Sequence, residues 1–457
     1  EQGRSIKLGG EEVPVVDSYK HLGTLLDHTL STRVMVEARV VKGQRSLHSL
    51  RPALCARDVP VGMKAKLINA CLLPVLCFGA ELWGIDAVSQ APAQKVLDTA
   101  CRLAVGQRQV QRETLLQELG LHSVRARSSG AVARAAVKYK TLDTVIGDLC
   151  RRPSAPRGEA AWVQAATKLL DKQGKAWQQK LGNSGGQGVA AGTGTPGSWS
   201  DTQAKTRVCQ MVGYSEWEKA RRKSQTARFY EAAQLVRTRD YLKNLEWPSD
   251  AAAVQMLLRM RLGALAWARD LARVPRFEAI SEQLQRDACP CCGERGVKES
   301  PDHFMMSCSA WAEQRTRYLL PLLIELAEAG RIRQVPGQPV EAPQAAAYCA
   351  LLGGVGLVGV DAWNTAVAGL NRTRQWWLSE RREADGAKRP PPYIMVARFI
   401  AEARRARWTR IRNMLDAAAG AGGASDASTG ESSESEEDDT EAADAAGAAS
   451  DDDERDE

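Results

Sequence analysis

With 457 residues, 44% apolar and 26% charged, the chain has the length and composition of a globular protein with two or three domains. No apolar run approaches the roughly eighteen residues of a membrane-crossing helix, and Glu1-Gln2-Gly3-Arg4 carries neither a secretory pattern nor an initiating methionine, so a soluble piece of a nuclear or cytoplasmic protein is expected, with no membrane partner. The formal charge of +7 hides an asymmetry: from Asp426 onward fifteen carboxylates face one arginine, net −14, which leaves +21 on the rest. A body this basic suits a polyanion, either nucleic acid or an anionic surface.

Along the chain, Ser5 to Leu8 and Val13 to Val16 read as two short strands around Gly9-Gly10, and Tyr19 to Leu26 as a third strand-like run. Apolar residues then recur at helical spacing from Ser31 to Leu50 and Val61 to Gly79, and helices are expected as far as Leu181. The Gly-rich stretch 182–202 reads as a flexible linker and the clearest domain boundary. More helix is expected over 215–285, interrupted at Trp247-Pro248-Ser249-Asp250, where Ser249 or Asp250 would cap the next helix. Further helices are expected at 309–329, 345–352, 361–384 and 393–419, and the acidic stretch 424–457 reads as disordered. The fold class is therefore mainly α with a short N-terminal β-hairpin. The expected order is a hairpin (1–30), a helical region (31–181), the linker (182–202), a helical region (203–288), a Cys/His segment (289–308), a helical C-terminal region (309–423) and the tail.

Of eleven cysteines, seven are scattered singly, as in Ala70-Cys71-Leu72, and read as buried free thiols. The other four crowd together. Cys289-Pro290-Cys291-Cys292-Gly293 supplies a Cys-x₂-Cys pair on a tight turn, with His303 eleven residues after Cys292 and Cys308 five later. Zinc needs four thiolate or imidazole donors converging tetrahedrally, and Cys289, Cys292, His303 and Cys308 have the spacing of one closed, structural zinc site. Cys291 is one residue out of phase. The alternative is a cysteine-rich turn with a satisfied histidine beside it. On the next helix, Trp311, Arg315, Arg317 and Tyr318 could grip and stack on single-stranded nucleic acid, or the arginines could simply be solvated. Near the end, Arg404, Arg405, Arg407 and Arg410 flank a stripe of Ile400, Trp408 and Ile411; template binding and plain helix packing both account for it.

The run Tyr19-Lys20-His21-Leu22-Gly23 resembles the hairpin that follows the polymerase active site in reverse transcriptases of non-LTR (LINE-type) retrotransposons. The similarity continues through Lys66-Leu67-Ile68, Pro74-Val75-Leu76 and Phe78-Gly79-Ala80-Glu81-Leu82-Trp83, which look like the thumb. It resumes at Leu258 to Gly263, Cys289-Pro290-x-Cys292-Gly293, Asp302-His303-Phe304, Cys308 and Arg315, similar to the zinc-binding segment that closes such polyproteins. His21 stands where the family usually has an aromatic residue. The resemblance implies a C-terminal part of an RNA-directed DNA polymerase, with Tyr19, Lys20, His21 and Gly23 seating a primer strand and the basic helices holding RNA or DNA. The catalytic palm is not recognisable: adjacent aspartates occur only at Asp438-Asp439 and Asp451 to Asp453, in the acidic tail. Gly354-x-Gly356-x-x-Gly359 spells a dinucleotide pattern without a βαβ unit around it and reads as a break between helices. This fragment is thus expected to catalyse nothing alone. A stand-alone, zinc-containing nucleic-acid-binding or chromatin-associated protein derived from such an element, its acidic tail meeting histones or other basic proteins, is the alternative, as is a relic without function.

Overall fold

A computed structural model describes residues 6–9, 11–13, 16–29, 31–86, 88–107, 109–151, 161–183, 199–243, 246–328, 342–354, 375–379, 381–382 and 388–421. It is mainly helical and begins with two antiparallel hairpins. Strands β1 (Ile6–Leu8) and β2 (Glu11–Val13) pair Ile6 with Val13 and Leu8 with Glu11, with Gly9 at φ +60° in the turn as the Gly-Gly signal requires. The expected third strand is itself a hairpin. β3 (Ser18–His21) pairs with β4 (Thr24–Asp27) around Leu22 (φ +45°) and Gly23 (φ +89°), a two-residue turn with both central residues left-handed, which reverses the chain inside the Tyr19 to Leu26 run.

The helices follow in order: α1 (Thr32–Cys55), α2 (Val61–Leu67), α3 (Leu73–Leu76), α4 (Ala80–Trp83), α5 (Ala91–Val105), α6 (Arg112–Leu119), α7 (Val124–Lys140), α8 (Val145–Arg151), α9 (Ala161–Asn183), α10 (Asp201–Lys223) and α11 (Gln225–Ala232). After them come α12 (Ala251–Arg261), α13 (Ala268–Leu271), α14 (Ser281–Gln285), α15 (Ala312–Tyr318), α16 (Leu320–Glu328), α17 (Ala342–Leu351) and α18 (Pro392–Ala421). Local chemistry sets the breaks. A widened π turn, Ile68–Leu72, precedes Pro74, whose ring and missing amide an unbroken α-helix would not accommodate. The Ser123 hydroxyl caps α7 at Ala126 N, and Gly120 closes α6 at φ +68°. Pro321 splits the single helix expected over 309–329 into α15 and α16. Arg381–Arg382 pairs with Lys388–Arg389 as a short antiparallel ribbon where the end of a helix over 361–384 was expected; Arg389 precedes Pro390, which favours extended backbone. Residues 361–374, most of the Gly-rich motif after Gly354, and the acidic tail lie outside the described residues. No described helix is long and apolar enough to cross a membrane.

The chain divides into two compact units. The first comprises Glu1–Arg51, Leu67–Ala100 and Leu121–Lys219. Here α4 packs on α7 so closely that a Cβ at Gly84 would sit 2.8 Å from Ser128 Cβ. A second cluster joins Ala126, Val132 and Ala133 of α7, Ala166 and Leu170 of α9, Trp199, and Ala204 and Val208 of α10. Residues 184–198 of the Gly-rich stretch lie outside the described residues, but its flanks share a core within one unit and so do not belong to two separate domains; α9 extends to Asn183 and α10 starts at Asp201.

The second unit comprises Pro52–Lys66, Cys101–Gly120 and Ala220–Glu457. Its centre is the packing of α12 against α18, with Leu257, Leu258, Ile394, Ala397 and Ile400 all buried. Arg261, fully buried, donates from Nε to Glu118 Oε1 at 2.7 Å, and Glu118 also accepts from Tyr241 Oη at 2.9 Å and from Tyr230 Oη, so the carboxylate is satisfied on all sides. Asp250 stands at the N-cap of α12 but does not cap it; its carboxylate is drawn to Arg398, which binds both oxygens at 2.8 and 2.9 Å. The single cysteines are mixed: Cys101, Cys209 and Cys349 are buried, while Cys55 and Cys71 are exposed, contrary to the expectation of buried thiols.

Candidate metal centre and basic surfaces

The Cys/His segment is built from two local devices. In the first, Ala288 bridges Arg295, Gly293 N donates to Cys289 O at 2.8 Å, and Gly293 takes φ +73°, which folds Cys289 and Cys292 onto one side of a tight turn. In the second, His303–Ser307 winds as a π turn and Cys308 N donates to His303 O at 2.8 Å. The wide turn brings residues five apart in sequence onto the same side, which an α turn would not.

Together these gather Cys289 Sγ, Cys292 Sγ, a His303 ring nitrogen and Cys308 Sγ within 4.8 Å of one another, a group that could hold a metal ion. Cys289, His303 and Cys308 are buried. Cys289 Sγ lies 4.0 Å from Cys308 Sγ, and Cys292 Sγ 3.5 Å from His303 Nε2. His303 Nδ1 lies 3.1 Å from Ser307 Oγ, which orients the ring with Nε2 toward the thiols. Hydrogen bonds from the Cys291 and Cys308 thiols hold Cys289 well below the ordinary thiol range, and the thiolate is the form that ligates metals. Cys291 is not one of the four gathered donors, as its phase requires; its Sγ neighbours Cys289 and lies 3.6 Å from Glu299 Oε1.

The surrounding arginines do different work from the one expected of them. Arg407 is buried and holds Glu299; Arg404 is also buried, its guanidinium over the Trp408 ring. Packing of α18 against the unit's core removes both from any phosphate-binding surface. Arg315 Nη2 donates to Cys308 O at 2.5 Å and Arg410 Nη1 to Cys291 O, so these two clasp the carbonyls of the Cys/His loops. Arg317 is exposed but tied to Glu313 at 3.0 Å and Glu402 at 3.4 Å, and Trp311 is buried beneath Arg410 instead of standing free to stack. Arg405 remains an exposed cation.

In the first unit, Tyr19, Lys20 and His21 are all exposed on β3, Tyr19 and His21 on one face with ring centroids 6.4 Å apart. Gly23 O accepts from Arg39, whose guanidinium lies 4.3 Å from the Phe78 ring centroid. Arg39, with help from burial and from Lys20, pulls the Lys42 ammonium below its ordinary range. Sequence reasoning missed Arg39 and Lys42, because nothing in helical periodicity says which turn of α1 the hairpin covers.

No protein-family model, no curated protein and no solved structure matches the chain.

Proposed function

We propose that the chain is the nucleic-acid-holding, C-terminal part of an RNA-directed DNA polymerase of the non-LTR retrotransposon type, without catalytic activity of its own and with a structural zinc ion in the Cys/His site. The observation that carries the reading is the β3–β4 hairpin, where Tyr19, Lys20 and His21 stand exposed with the half-buried Lys42 nearby, two ammonium groups next to aromatic rings, above the buried Arg39. Such a surface suits a phosphate backbone and a base in contact with it.

Zinc is supported by the donor set and its dimensions. Tetrahedral coordination at ordinary Zn–S and Zn–N lengths separates two sulfurs by about 3.8 Å, and a sulfur and a nitrogen by about 3.6 Å. The 4.0 and 3.5 Å separations here require only small adjustment. Four protein donors leave no open position for a catalytic water, so the ion would tie Cys289, Cys292, His303 and Cys308 together rather than take part in chemistry.

The test is binding of RNA and DNA oligonucleotides to the full chain across a salt series. Affinity should fall log-linearly with salt, and Lys20→Ala/Lys42→Ala should weaken binding and flatten the slope by about two phosphate contacts. Binding indifferent to salt or to both lysines would sink the reading. Sequencing the native transcript upstream of Glu1 tests the parentage, which predicts an in-frame paired-aspartate polymerase hairpin there.

A further inference from the structure

Beside the Cys/His cluster lies a cleft of about 460 Å³ that shares the Cys289–Gly293 turn with it. It opens between the end of α14, the outer side of the Cys289–Gly293 turn and Met414 of α18, and its lining includes Gln283, Arg286, Asp287, Pro290, Arg295 and Met414. Its size falls within the roughly 300–1,000 Å³ of small-ligand sites. We infer that this cleft seats one unpaired nucleotide of a single-stranded nucleic acid; the inference rests on the nucleic-acid-binding reading and assigns that activity a second contact site.

Three features of the cleft point to this ligand. Arg286 and Arg295 are both exposed, and among the described residues no carboxylate engages either guanidinium, whereas Asp287, the one acid in the lining, is turned to Lys298 at 3.4 Å. Two guanidinium groups without a carboxylate partner in the lining of one cleft suit a phosphate. The backbone of Arg295 is held by its bridge to Ala288, and Arg286 follows the end of α14. The same lining holds Pro290 and Met414, apolar surface suited to a flat base, and Gln283, whose amide can donate to and accept from a base edge. A stacked, paired base cannot enter so small a cleft, but a splayed one can, which selects single strands. An acidic peptide would satisfy the arginines but leave the apolar wall without a partner.

The experiment uses the full zinc-loaded chain, a fluorescent single-stranded RNA of mixed sequence and its blunt duplex. Arg286→Ala/Arg295→Ala should lower single-strand affinity about tenfold or more while changing duplex affinity by less than about twofold. Met414→Ala should weaken the single strand without changing the salt slope. Arg269→Ala/Arg273→Ala removes equal charge from exposed residues outside the cleft and is the reference for a nonspecific loss. Unchanged zinc content in each variant shows that the loops are intact. If the wild-type chain binds with the expected salt dependence but the cleft variant behaves as the reference does, the cleft inference is overturned and the general reading stands. Displacement of the RNA by polyglutamate from the wild type but not from the cleft variant would overturn it in favour of an acidic peptide. A wild-type chain that binds neither probe overturns both.

Discussion

Arg407 meets Glu299 in a buried, two-pronged ion pair, Nε to Oε1 at 2.6 Å and Nη2 to Oε2 at 2.8 Å, across 108 residues of sequence. Glu299 also accepts from Ala268 N at 2.8 Å, so one carboxylate joins α13, α18 and the segment leading into His303. Removing one partner leaves the other charge buried and unpaired. Arg407→Ala should destabilise the second unit by about 3–5 kcal/mol, read as a lowered urea midpoint, and the paired change Arg407→Met/Glu299→Gln should recover part of that loss.

The metal centre makes a compositional prediction. The purified chain should hold one zinc per molecule under reducing conditions, and Cys292→Ser or His303→Ala should abolish stoichiometric binding. Cys291→Ser should retain it, because that sulfur is not one of the four gathered donors. Chelation should expose backbone amides of 289–308 to hydrogen exchange, since the binding energy of such an ion is largely local folding energy. Elemental analysis and exchange mass spectrometry decide it.

Lys64 is fully buried and its Nζ has no hydrogen-bond partner. Burial lowers its pKa from 10.5 to about 8. The folded state therefore holds this proton less tightly than the unfolded chain, and from about pH 8 to 10.5 the unfolded state binds more protons, so this lysine makes stability rise with pH across that window. Lys64→Met should abolish that rise and stabilise the protein at pH 7 by about 1–3 kcal/mol, the penalty of an unmatched buried polar group. Urea titrations of both proteins at pH 7 and pH 10 give the comparison.

At the tip of the β3–β4 hairpin, Leu22 is 84% exposed and left-handed at φ +45°. A branched apolar residue pays a steric penalty there that asparagine largely avoids, and Asn-Gly is the favoured pair for this turn. Leu22→Asn should stabilise the hairpin by about 1 kcal/mol, visible as slower amide exchange at Tyr19 and Leu26, a hydrogen-bonded pair of the ladder.

The Cys/His cluster was legible in the sequence because both devices that gather it are local: a Cys-x₂-Cys turn with a left-handed glycine, and a histidine and cysteine five apart. The long last helix was legible as well, from Ile400, Trp408 and Ile411 at helical spacing. Side-chain roles set by distant partners were not. A reader of Arg404 and Arg407 sees two cations on a basic helix, and only the tertiary position of Glu299 and the core against α18 turn them inward. The same holds for Lys64, whose burial depends on segments far away, and for the Gly-rich stretch, whose composition marks a flexible connection but cannot say that Leu170 and Val208 meet across it.

The clasp formed by Arg315, Arg407 and Arg410 bears on how this protein can be dissected. The Cys/His stretch has the look of a cassette of twenty residues, Cys289 to Cys308, that could be cut out and grafted elsewhere. Its walls, however, come from α15 and α18: Arg410 holds the Cys291 carbonyl, Arg315 that of Cys308, and Arg407 neutralises Glu299 between them. A truncation ending before Pro392 would strip two of these three and leave the Glu299 carboxylate unpaired beside the cysteine cluster. A shortened chain meant to keep the Cys/His cluster together should run through at least Met414, and a lesion at Arg407 or Arg410 should loosen the cluster from a distance.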